Sequence, residues 1–174
     1  MTNQTLKSEL GKADAGEAER GFRRLNYTVA SPKALAAMMK LSGHAHLAGL
    51  DPVLLELVSL RASQINGCGF CLDMHTKELR AKGVGEQKLY LLAIWREARW
   101  LYTPREQAAL AWTEALTKLG EHGVPDDVYD AARAAFSEAE LVDLTIAVIA
   151  INGWNRLSIA FGAIAGHYEV GSLG

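Results

Sequence analysis

Each of the four prolines in this 174-residue chain stands where a helix can open, and that placement constrains the fold most. Proline has no backbone amide to donate, so it is best tolerated in the first helical turn, where amides lack partners anyway. Ser31 before Pro32 and Asp51 before Pro52 add side chains that can accept from those free amides. The pattern predicts helices over residues 31–48, 51–65, 68–82, 86–102, 104–119 and 125–136, and from Ser137 past Ile151. Gly49, Gly67 and Gly83 mark stops. Ser137 with Glu140 has the form of a capping box. No strand alternation or hairpin signal competes, so the expected fold is an all-α bundle in a single domain.

Residues 1–20 are polar without sustained apolar periodicity and read as a flexible N-terminal arm, leaving 21–174 as the helical domain. The 18 basic and 20 acidic residues are interspersed, and the longest basic run is the pair Arg23 and Arg24. Nucleic acid is therefore not an expected partner. The first twenty residues have no apolar stretch of the kind export requires, so the cytoplasm is the expected compartment. The stretch from Leu144 to Ala165 is apolar over a spanning length but contains Asn152, Asn155 and Arg156. A mid-membrane arginine costs roughly 2.5–3.5 kcal/mol, so a core helix is expected there and no membrane span. The helix over 52–65 is apolar almost all round, which predicts burial inside the domain or between subunits of a homo-oligomer. Trp95, Trp100, Trp112 and Trp154 are expected to fill core and interfaces.

Cys68 and Cys71 are the only cysteines, two residues apart at the start of a predicted helix. Positions i and i+3 share a helix face, with side-chain origins roughly 5–6 Å apart, so a small adjustment at the helix start would let a disulfide close and open. A helix N-terminus also favours thiolate over thiol through its free amides and partial positive charge. His75 follows Cys71 by one turn on the same face, while Asp73, Lys77 and Arg80 point away. Glu56 is a carboxylate on an otherwise apolar helix, and His75 is its natural partner if the two helices pack antiparallel. Such a pair could pass a proton to and from a cysteine. Three other readings stand beside this one. Cys68, Cys71 and His75 could bind metal, although a fourth ligand is missing and His44 with His46 do not face together on a helix. Both cysteines could be inert core residues. Glu56 could serve a structural salt bridge with Arg61 or Arg156.

The run from Glu56 to His75, with Ser63, Gln64, Ile65, Asn66, Gly67, Cys68, Gly69, Phe70 and Cys71, resembles the alkylhydroperoxidase D (AhpD) family. Trp95 to Glu97, Glu106 to Thr117 and Asn152 to Leu157 resemble its peroxidase-related branch. The resemblance spans about Tyr27 to Ile164. It implies an AhpD-like helical bundle forming trimers or hexamers, and peroxide reduction supported by an external dithiol or disulfide-reducing protein. It implies no haem, flavin or metal. It also implies roles: Cys71 attacks peroxide, Cys68 resolves it, and His75 with Glu56 relays the proton. Phe70 stands where some members carry a second histidine, which leaves thiol activation to His75 alone and implies either a weaker peroxidase activity or a bulkier, apolar substrate. A disulfide reductase or redox sensor on the same fold is the alternative. The related carboxymuconolactone decarboxylases lack the cysteine pair, which makes decarboxylation the weaker reading.

Overall fold

The computed structural model describes residues 21–172, so the arm expected over 1–20 lies outside the described residues. Eight α-helices follow one another: α1 Tyr27–Ala30, α2 Pro32–Leu47, α3 Pro52–Asn66, α4 Gly69–Ala81, α5 Glu86–Tyr90, α6 Pro104–Thr117, α7 Asp126–Ala135 and α8 Glu138–Phe161. Two 3-10 turns, Leu92–Ile94 and Arg99–Leu101, lie between α5 and α6. The described residues contain no strand, only single bridges pairing Phe22 with Ala163 and Gly120 with Gly123. The all-α single-domain expectation is met.

The helix starts follow from local chemistry. Asp51 Oδ1 accepts from the amides of Val53 at 2.7 Å and Leu54 at 3.3 Å, and Pro52 opens α3 behind it. Ser137 and Glu140 close the expected capping box on α8, and Thr103 with Glu106 forms a second one on α6. Ser31 differs from expectation: its side chain makes no capping bond, and α2 begins on Pro32 alone. Pro125 sits one residue outside α7 rather than in its first turn.

The single helix expected over 86–102 does not form. Buried Leu89, Leu92, Trp95 and Ala98 recur every third residue, which is the period of a 3-10 helix rather than of an α-helix. An α-helix would rotate this stripe away from the core, so the chain tightens into short turns that keep all four inside.

Helix α3 lies at the centre and packs against α4, α6 and α8. Its Leu54, Leu55 and Val58 join one apolar cluster with residues of α2, α6, α7 and α8. Leu57 and Leu60 join a second with Leu79 of α4, Trp95 and Leu110 of α6. Occupying two cores at once is why α3 is apolar on nearly every face. Each such leucine contributes roughly 1.5–3 kcal/mol by burial. Helix α8 is long and apolar enough to cross a membrane by length and composition alone, but it packs against α2, α3 and α6, and Asn155 within it is buried and hydrogen-bonded. Of the tryptophans, Trp95 and Trp112 are buried in the core, whereas Trp100 is 78% exposed on the single chain and lies outside it.

Candidate active site

Helix α3 ends at Gly67, whose φ of 71° is left-handed and whose amide donates back to the Ser63 carbonyl. A side chain there would be strained, so glycine lets the chain reverse tightly into α4. The Cys68 amide donates to the same carbonyl at 3.1 Å. Cys68 is thus the N-cap of α4, in extended rather than helical conformation, and its Sγ accepts the Cys71 amide at 3.4 Å. The two sulfurs lie in contact with their Cα atoms 5.4 Å apart, inside the range a disulfide spans. The adjustment that the i, i+3 spacing demanded is the extended backbone of the cap residue.

A second polar cluster holds this turn in place. Asn66 Nδ2 donates to Oδ1 of Asn152 at 2.9 Å and of Asn155 at 2.8 Å. Asn155 Nδ2 donates to Ser63 Oγ at 3.0 Å, and Asn152 Nδ2 to Thr117 Oγ1 at 3.1 Å. The residues that begin the α3–α4 turn are therefore pinned to α8.

The antiparallel packing of α3 on α4 brings Glu56 to His75. Glu56 Oε2 lies 2.7 Å from His75 Nδ1, and both residues are only 8% exposed. A carboxylate can only accept, so Nδ1 carries the proton of this hydrogen bond, and in the neutral ring the lone pair falls on Nε2. Nε2 is the buried side-chain nitrogen or oxygen without a hydrogen-bond partner among the described residues. Cys71 stands one turn before His75 on the same face of α4, and both are buried.

The structural salt bridge considered for Glu56 falls elsewhere. Arg61 binds Glu114, Arg156 binds Asn152, and Glu56 has His75 on one oxygen and Lys82 Nζ 3.5 Å from the other. Trp95 and Arg96 also donate to Glu114; although burial pushes its carboxyl upward, these donors with Arg61 hold it below the usual carboxylate range.

Lys82 also binds Glu78 Oε2 at 3.1 Å. The other oxygen of Glu78 accepts from the Tyr168 hydroxyl at 2.6 Å and the Gly171 amide at 2.8 Å. Asp73 and Lys77, expected to point away from the cysteine face, hold the same C-terminal segment: Asp73 accepts the Gly166 amide, and Lys77 donates to the Gly166 and Tyr168 carbonyls. Residues 166–171 therefore lie as a strap along α4. Tyr168, first of all, with Gly171 and Lys82 pulls the Glu78 carboxyl down to about 2.

A cavity of about 180 Å³ opens onto Cys68, between the α4 start and the end of α8. Cys71, His75 and Glu56 do not line it. A larger groove of about 660 Å³ beside α6 and α7 touches none of the four residues. Among the described residues no three His, Cys, Asp or Glu side chains converge as a metal site would require, and His44 is paired with Asp143. Sequence reasoning placed Cys68, Cys71, His75 and Glu56 together; it missed Lys82, the asparagine cluster as a brace, and Arg23 at the cavity. Lys82 had a visible signal, since it follows Glu78 by four residues and His75 by seven.

A buried dithiol beside a carboxylate-oriented histidine on an all-helical scaffold defines a class. The chain belongs to the carboxymuconolactone decarboxylase family, whose AhpD-like members share this fold: the family profile matches residues 32–115. The uncharacterized Bacillus subtilis protein YdfG is 38% identical over 140 residues, 80% of this chain and 95% of that one. The alkyl hydroperoxide reductase AhpD of Acidobacterium capsulatum is 42% identical over 76 residues, covering 42% of this chain and 40% of that enzyme. Among solved structures, a protein of unknown function from Agrobacterium tumefaciens that carries the AhpD name superposes with a TM-score of 0.79 at 45% identity. That match covers 83% of this chain and 99% of the other.

Proposed function

We propose that this protein is a thiol-dependent peroxidase that reduces organic hydroperoxides in the cytoplasm as a homo-oligomer. The observation that carries the reading is His75, held through Nδ1 by Glu56 while its other nitrogen is without a partner among the described residues, one helical turn after Cys71. His75 takes the Cys71 proton, and the thiolate attacks the outer peroxide oxygen. The O–O bond breaks, Cys71 becomes a sulfenic acid, and the departing alkoxide takes the proton back. Cys68 then attacks Cys71; the disulfide forms and water leaves. An external dithiol restores both thiols. Positioned general-base catalysis of this kind contributes roughly 10²–10⁴ in rate.

The test is organic hydroperoxide consumption with excess dithiol and chelator. Wild type should turn over many times, and Cys71→Ser and Cys68→Ser should lose turnover, with His75→Ala slowed about 100-fold. Cys68→Ser should still form one trapped sulfenic acid per chain. Turnover that persists in Cys71→Ser would falsify the assignment.

One observation favours a second reading, a disulfide reductase led by Cys68: this residue caps α4, its sulfur accepts a helix amide, and it lines the cavity where Cys71 does not. Turnover of small disulfides without turnover of peroxides would select it.

A further inference from the structure

Of the adjacent arginines Arg23 and Arg24, one is committed and one is not. Arg24 donates to the Ala160 carbonyl at 2.7 Å and so serves the end of α8. Arg23 is fixed only through its backbone, whose amide donates to the Gly162 carbonyl at 2.9 Å. Gly162 has a φ of 68°, and a Cβ there would come within 3.1 Å of Arg23 Cβ, so its glycine lets the two segments close up. This places Arg23 at the cavity that opens on Cys68. Its guanidinium has no ion pair or hydrogen bond among the described residues, and no carboxylate lines the cavity. Phe70, Ile159, Ala163 and Ala165 supply apolar walls. About 180 Å³ admits the sulfur-bearing end of a molecule, not a folded drug-sized ligand.

We propose that this cavity is the port for the thiol that resets the disulfide, and that Arg23 selects thiols carrying an anionic group beside an apolar, sulfur-bearing end. The proposal rests on the disulfide cycle described above. The external thiolate attacks Cys68 Sγ, a mixed disulfide forms as the Cys68–Cys71 bond breaks, and Cys71 leaves as a thiolate beside His75. A second external thiolate attacks the outer sulfur and frees Cys68. Two thiols become one disulfide, their two electrons pass to the pair, and their two protons end on Cys68 and Cys71. Because Cys68 lines the cavity and Cys71 does not, the leaving sulfur is the one that stands a helical turn before His75.

The experiment compares 2-mercaptoethanesulfonate with 2-mercaptoethanol as reductants of the oxidised full chain, with rates normalised to thiolate concentration. It uses wild type, Arg23→Gln and Arg23→Lys. The anionic-to-neutral rate ratio should fall roughly threefold to fivefold in Arg23→Gln, the size expected of one partly exposed charge pair. Arg23→Lys should keep most of the preference, and salt should erase it in wild type. A ratio equal in all three proteins overturns the proposal. Peroxide turnover is recorded separately on wild type with the neutral thiol. Failure there removes the peroxidase reading while leaving the charge preference measurable.

Discussion

Glu56 sets which nitrogen of His75 is left free for the relay. If the carboxylate is replaced in Glu56→Gln, the amide can donate to Nδ1, which drives the proton to Nε2 and removes the base. Peroxide turnover should fall about tenfold or more with the fold retained by circular dichroism; unchanged turnover would remove Glu56 from the relay. Asn155 shows a different kind of demand. It is fully buried and satisfies both Asn66 and Ser63. Asn155→Leu keeps the branched shape but takes a hydrogen bond from buried Ser63 and half-buried Asn66, at a cost of about 1–3 kcal/mol in urea unfolding. A stability within a few tenths of wild type would show that the cluster is dispensable. The sequence displayed Glu56 and His75 openly, because a carboxylate on an apolar helix demands a partner and a histidine one turn after Cys71 supplies one. It could not display the Asn66, Asn152 and Asn155 contacts, which join residues 86 or more positions apart. Only the tertiary packing of α3 on α8 creates them.

At the scale of elements, helix beginnings were legible because their chemistry is local: Asp51 with Pro52, and Ser137 with Glu140, act within one turn. The broken stretch after α5 was not read, since a three-residue burial period passes for helical spacing unless the fourth-residue partners are checked. The strap along α4 was also hidden, for it is held largely by backbone groups of residues 166–171. It makes a pH prediction. The Glu78 carboxyl lies at about 2, below its ordinary 4.5. A carboxylate depressed in the folded state contributes stability that is whole above the ordinary value and is lost as pH falls through the lowered one. The Gly171 amide resonance should therefore hold steady above about pH 4.5 and move toward its detached position as pH falls to about 2. Glu78→Gln should show the detached position throughout. A midpoint near 4.5 in wild type would mean that Glu78 does not hold the strap.

For the whole molecule, one unanswered apolar stripe lies on α8. Val142 and Ile149 are 62% and 50% exposed and stand seven residues apart on one stripe. Covering that stripe with a second copy is the economical way to satisfy a long apolar helix that reaches the surface. Analytical ultracentrifugation should find an oligomer, and Ile149→Lys should shift it toward monomer while leaving helix content unchanged. A wild-type monomer at micromolar concentration would end that expectation.

The strap has one more consequence. Asp73 and Lys77 grip it through an amide and two carbonyls, and Glu78 grips it through one amide and one hydroxyl. Backbone groups are the same whatever side chain they carry. Across relatives, the 166–171 segment is therefore free to drift in sequence, apart from Tyr168 and the positive-φ glycines Gly166 and Gly171, whereas Asp73, Lys77 and Glu78 are not. A poorly matching tail beside an unchanged acidic and basic trio on α4 would mark a strap that is still fastened.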